Sequence, residues 1–221
     1  MIASRLQNIR EQLLPGVTLV AVSKTRSSDE IMEAYNAGQR VFGENRAQEM
    51  AAKFEELPKD IQWHIIGHLQ RNKVKFIAPF VHLVHSVDSF RLLKEINKEA
   101  AHHNRTIPVL LQYHIAREDS KYGLKEPVPS FLTDGSMDAV KNVEICGVMG
   151  MATFTDDEAL IREEFRKLRG IFEQLKQGVM CGNEAFREIS MGMSADFLLA
   201  QHEGSTMVRV GSDIFGERNY T

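Results

Sequence analysis

Cysteine is scarce in this sequence: Cys146 and Cys181 are the only two in 221 residues, and they form no C-x-x-C pair. That excludes a disulfide framework and a thiolate zinc motif, and it fits thiols kept reduced in the cytoplasm. Long apolar runs are missing as well. The longest, residues 17–22 and 143–151, fall far short of the ~20 residues of a spanning helix, and Glu144 interrupts the second. No membrane segment and no membrane partner are expected. Residues 1–13 carry Arg5, Arg10 and Glu11 and lack the unbroken apolar core of a secretory signal, so a cytoplasmic location is expected. An excess of one charge is also lacking. With 27 Lys and Arg against 30 Asp and Glu, the net charge of -3 and pI of ≈ 6.3 supply no basic footprint for nucleic acid. Low-complexity segments and Gly/Ser-rich linkers are absent, which speaks against disorder and against a division of the chain. With 43% hydrophobic residues, residues 1–221 are expected to form a single domain.

What the sequence does contain is a regular alternation. Ile2, Leu6, Ile9 and Leu13 fall on one helical face, and Pro15-Gly16 closes that segment. The β-branched run at 17–22 reads as a buried strand. Ser27-Ser28-Asp29 then caps a helix that carries Glu30 in its first turn and ends at Gly38. The same reading continues with strands at 41–43, 63–67, 83–87, 107–114, 143–152, 189–193 and 206–210. Helices are expected between them at 46–57, 72–77, 89–101, 128–132, 157–176 and 197–202. Eight strands, the first seven each followed by a helix, point to a (β/α)8 TIM barrel. An open doubly wound sheet competes, but it more often uses five or six strands.

In such a barrel the chemistry sits where the strands end. The first strand runs into Ser23-Lys24-Thr25. Apolar surroundings favour the neutral amine, the form that attacks carbonyls. Lys24 reads equally as a strand-end lysine that snorkels to solvent or pairs with a carboxylate such as Glu44. The second strand ends in Gly43-Glu44-Asn45, where Asn45 also reads as a helix cap. The third ends near His68, which a structural role explains as well, and no second histidine stands at metal-ligand spacing. The seventh and eighth ends differ in kind. Ser194 runs straight into a helix, and Gly211-Ser212 follows the last strand. Amide N–H groups and hydroxyls at these two adjacent ends suit a phosphate, although each loop alone also reads as an ordinary glycine turn. Arg209 shares a face with Gly211 by strand alternation. A lysine amine across the mouth from a phosphate cradle suits a phosphorylated aldehyde, either pyridoxal 5′-phosphate or a sugar phosphate on a Schiff-base aldolase.

The motifs Val20-Ala-Val-Ser-Lys-Thr25, Phe42-Gly-Glu-Asn45, Trp63-His-Ile-Ile-Gly-His-Leu-Gln-Arg-Asn-Lys73, Ser190-Met-Gly-Met-Ser194 and Val208-Arg-Val-Gly-Ser212 resemble those of the pyridoxal phosphate homeostasis proteins. The resemblance runs over residues 14–220. It implies a barrel like the N-terminal domain of alanine racemase, with pyridoxal 5′-phosphate held as a Schiff base on Lys24. It further implies Asn45 against the cofactor ring, Ser194, Gly211 and Ser212 at the phosphate, and Arg209 facing the pyridine nitrogen. Ser212 stands where the family more often has threonine and keeps the hydroxyl. The family's Ser-Lys-x-Gly is retained at 120–123, while Tyr113-His114 replaces a commoner Val-Asn.

The resemblance also bears on whether the site turns anything over. An arginine, with a pKa above ~12, keeps its proton and leaves the ring nitrogen unprotonated, which makes the ring a poorer electron sink. Racemisation then needs a base on each face. Lys24 serves one. In alanine racemases the other is a tyrosine of a second, β-rich domain of the partner subunit, a domain not expected here. Tyr113 and His68 are the residues that would have to replace it. The expected function is therefore intracellular homeostasis of pyridoxal 5′-phosphate, holding it and delivering it to apoenzymes, as a monomer. An amino-acid racemase is the alternative.

Overall fold

In the computed structural model, which describes residues 1–118 and 122–217, the apolar runs become eight short parallel strands. They close in sequence order into one barrel. The strands are β1 (Thr18–Val22), β2 (Val41–Glu44), β3 (Gln62–Ile65), β4 (Leu83–Val87), β5 (Ile107–Gln112), β6 (Val143–Met149), β7 (Glu188–Met193) and β8 (Met207–Val210). The helices are α1 (Ile2–Gln12), α2 (Ser28–Asn36), α3 (Ala47–Glu56), α4 (Val74–Ile77), α5 (Phe90–His102), α6 (Glu158–Gln177), α7 (Phe197–His202) and α8 (Ser212–Phe215). None of them is long and apolar enough to cross a membrane.

Strand alternation splits the core into two layers. On β1, Leu19 and Ala21 join the layer under the helices, whereas Val20 faces the lumen with Leu83, Leu110, Cys146, Met149 and Met207. On β8, Val208 and Val210 face the helices, which turns Arg209 and Gly211 inward, as the alternation predicts. The helices are amphipathic to match. Along α6, Ile161, Phe165, Leu168, Phe172 and Leu175 are buried on one face, each worth roughly 1.5–3 kcal/mol of burial. Asp157 caps this helix by accepting from the amides of Ala159 and Leu160. Ser27 and Glu30 form a reciprocal capping box on α2.

One expected helix is replaced. Between β5 and β6, where 128–132 was expected to be helical, the described residues form only 3₁₀ turns at Ser130–Leu132 and Ser136–Ala139. Pro127 and Pro129 cannot donate to a helical ladder, and Gly135 turns left-handed at φ 83, so the segment is broken on both sides. The strand expected to reach 114 ends at Gln112, after which Tyr113 and Leu124 form an isolated bridge.

Closure sets the site. β1 pairs with β8 through Val20↔Arg209 and Ala21↔Val210, and with β2 through Val22↔Gly43. Met193 of β7 lies opposite Arg209. The carboxyl ends of β7, β8, β1 and β2 are therefore consecutive around the rim.

Candidate functional site

A cavity of ≈ 430 Å³ opens at those ends, and Lys24, Asn45, Ser194, Arg209, Gly211 and Ser212 all line it. Val22, Ile66, Met151 and Ile161 supply apolar wall. Asn45 does not cap α3: Arg46 takes the N-cap position, without a side-chain cap bond. Glu44 points the other way, under α3, where its Oε1 accepts from Ser23 Oγ at 2.7 Å and from Lys53 Nζ at 2.8 Å. Burial pushes its carboxyl up to about 7 against the pull of the Lys53 ammonium.

The ends of β7 and β8 are tied to each other. The Gly211 amide donates to Ser194 Oγ at 3.2 Å, and Asp196 Oδ1 accepts from the Met193 amide at 2.6 Å. Gly192, at φ 94, lets the chain bend into α7, since a Cβ there would lie 2.5 Å from that of Ala200. Gly211 serves close approach instead: a Cβ would meet Val22 Cβ and carbonyl oxygen, each at 3.2 Å.

Arg209 forms the floor. Its Nη1 donates to Ser190 Oγ at 2.6 Å and its Nη2 to the Gly150 carbonyl at 3.1 Å. Burial pushes the guanidinium down to about 10, with Asp196 pulling the other way, so the group remains a cation at neutral pH.

Below Arg209 lies a relay that strand-end reading missed. Ser190 Oγ is 2.9 Å from His85 Nδ1, and His85 Nε2 is 2.9 Å from His64 Nδ1. Arginine only donates, so Ser190 accepts from it, and its hydroxyl keeps a proton and a second lone pair with which to meet His85 Nδ1. Between His85 Nε2 and His64 Nδ1 one nitrogen donates and the other accepts. His64 Nε2, at the far end, is buried with no partner among the described residues. The available signal was the polar residue at an inward position of β3 and of β4, but only the closed register brings the two rings together.

Both rings are kept neutral. Burial, helped by His82, pushes His64 down from 6.5 to about 3. Burial, then His64 and Arg209, pushes His85 well below its ordinary value. In the unfolded chain both take up protons below 6.5, so the unfolded state binds more protons and stability falls with acid. Glu44 opposes this between 4.5 and 7, where the folded chain holds the extra proton. Urea unfolding should therefore show a blunted loss down to about pH 4.5, then a steep one of roughly 1.4 kcal/mol per pH unit per ring. Imidazole ¹⁵N spectra showing either ring protonated in the folded protein at about pH 5 would contradict this arrangement.

Tyr113 and His68 do not serve the cavity. Tyr113 is buried, its hydroxyl donates to the Pro127 carbonyl at 3.0 Å, and burial pushes its pKa up. His68 pairs with Asp88 at 3.3 Å and stacks on Tyr122 in a separate groove. Ser120 and Lys121 lie outside the described residues. The wall at 151–155 was not anticipated. It is held by Glu164 of α6, which accepts from the Thr153 amide at 2.6 Å and hydroxyl at 2.7 Å, and from the Arg117 amide at 3.0 Å. A glutamate on the apolar face of α6 was the one sign of it.

This closed eight-stranded parallel barrel, with a lysine after its first strand and serine hydroxyls after its seventh and eighth, is of the alanine racemase N-terminal-domain class: the family model "Alanine racemase, N-terminal domain" matches residues 1–219. The chain is 39% identical over 203 residues to the pyridoxal phosphate homeostasis protein of Aquifex aeolicus, covering 91% of this chain and 87% of that one. It is 37% identical over 224 residues to the human protein of the same name, covering 96% and 81%. PipY of Synechococcus elongatus, solved with PLP bound, superposes with a TM-score of 0.86 at 36% identity over 98% of this chain and 100% of that one. The chain belongs to the pyridoxal phosphate homeostasis protein family.

Proposed function

We propose that this protein binds pyridoxal 5′-phosphate at the barrel mouth and serves to hold it and deliver it to apoenzymes, without turnover of its own. The observation that supports this reading is the convergence on one cavity of a primary amine, two hydroxyls, a backbone amide and a buried guanidinium. The donor set fits the group. The amine suits the aldehyde, the hydroxyls and amide suit the phosphate, the guanidinium suits an unprotonated ring nitrogen, and the apolar flank suits the ring. When bound, pyridoxal phosphate supplies an electrophilic carbonyl carbon and an electron-withdrawing ring.

Lys24 holds the aldehyde end, Asn45 contacts the ring, and Ser194, Gly211 and Ser212 take the phosphate. Arg209 faces the ring nitrogen and, remaining a cation at neutral pH, keeps its proton. Holding is favoured over racemisation by the cavity wall itself. Among the described residues its ionisable side chains are Lys24, Asp196 and Arg209. Asp196 is engaged with the Met193 amide, and Arg209 is a donor only. Among the described residues no tyrosine or histidine lines it to serve a second face.

Removing both hydroxyls, Ser194→Ala with Ser212→Ala, should weaken binding of pyridoxal 5′-phosphate by roughly 10–100-fold while pyridoxal stays within about twofold, as befits two lost bonds to an anion. Calorimetric titration with each vitamer measures this. Equal losses for both would refute the phosphate assignment.

A further inference from the structure

Lys24 sits between two residues that are both tied to one buried cluster. On its N-terminal side, the Ser23 carbonyl accepts from Lys53 Nζ at 2.8 Å, and Ser23 Oγ donates to Glu44 Oε1 at 2.7 Å. On its C-terminal side, the Thr25 amide donates to Glu49 Oε1 at 2.6 Å. Lys53 joins the two sides, donating to Glu44 Oε1 at 2.8 Å and to Glu49 Oε1 at 2.7 Å. Its three protons thus meet three acceptors. The i,i+4 spacing places Glu49 and Lys53 on one face of α3. Ser23 and Glu44 are wholly buried, and Lys53 is 7% exposed.

Two features exceed what a tie between α3 and β2 requires. Thr25 is held at φ 65, a left-handed conformation that a β-branched residue adopts only when its surroundings impose it. Glu49 supplies the acceptor that this conformation needs. Secondly, Glu44 Oε2 is buried without a partner among the described residues, so the cluster is not optimised for stability alone.

We propose that Lys53 and Glu49 are positioning residues for Lys24: they fix the main chain on both sides of it, so that its amine meets the cavity in one pose. The proposal rests on the cofactor reading above. It separates two events, entry of the ligand and attack by the amine, and assigns the clamp to the second.

The test uses the whole protein with two probes. Pyridoxal 5′-phosphate with borohydride reports attack by the amine, and pyridoxine 5′-phosphate, which has a hydroxymethyl group in place of the aldehyde, reports non-covalent binding. Glu49→Ala and Lys53→Met should slow labelling of Lys24 by about tenfold or more at saturating ligand. Affinity for pyridoxine 5′-phosphate should stay within about twofold, and Lys53→Arg should restore part of the labelling rate. Glu49 is only partly buried, so Glu49→Ala carries the test should Lys53→Met not fold. Unchanged labelling in a folded variant, or equal loss with both probes, overturns the clamp. A wild-type protein not labelled at Lys24 overturns the cofactor reading and the clamp with it.

Discussion

Lys24→Ala is expected to yield a folded barrel that no longer takes up a borohydride-stable phosphopyridoxyl group. The covalent link needs a primary amine, and Lys24 is the lysine on the cavity wall among the described residues. The loss should therefore be complete rather than graded. Folding should survive, because Lys24 is half-buried at a strand end while β1 is held by β2 and β8 on either side. A stability change within about 1 kcal/mol is expected. Peptide mass mapping of reduced wild-type and variant protein, with a thermal melt beside it, checks both halves. Label persisting on another lysine would move the amine elsewhere, and an unfolded variant would make Lys24 structural.

The second large effect is expected from a single methyl group. A Cβ at Gly67 would lie 2.5 Å from the Asn45 carbonyl oxygen, 2.8 Å from its Cα and 2.9 Å from its Cβ. These are mostly backbone atoms, so Gly67→Ala must displace the chain that carries Asn45. Overpacking of this kind costs roughly 1–3 kcal/mol, which for a chain of this size lowers Tm by roughly 3–10 °C. Affinity for pyridoxal 5′-phosphate should drop by about tenfold or more, since Asn45 leaves its place on the wall. Gly170→Ala is the control: a Cβ there meets nothing within 4 Å, on an exposed helix position where alanine is preferred. That variant should bind normally and melt no lower. Normal binding by Gly67→Ala would show that the placement of Asn45 is unimportant.

Most of the barrel was readable because β-branched runs such as 18–22 and 83–87 are bounded by capping residues, glycine and proline, so type and order follow from local chemistry. The exception is the crossover from β5 to β6, where 128–132 reads as a short helix that Pro127 and Pro129 forbid. At the mouth, Lys24, Ser194, Gly211 and Ser212 were legible from their places after strands 1, 7 and 8, and their roles came from the resemblance. Residues whose meaning depends on distant partners were not. His64 and His85 are uninformative apart and meet only through register. Glu44 seemed a partner for Lys24 until α3 supplied Lys53. Tyr113, immediately after the strand end at Gln112, points into protein, because the bridge to Leu124 redirects the chain.

The string of hydrogen bonds from Arg209 through Ser190 and His85 to His64 is coupled: each neutral ring carries one proton, so the tautomer of one ring fixes that of the other. Replacing one middle member sets lone pair against lone pair, or hydrogen against hydrogen, at a neighbour that water cannot rescue. Its members therefore stand or fall as a set. Whereas the oily lining of a barrel can drift one side chain at a time, the axis of this one can be rewritten only by concerted change.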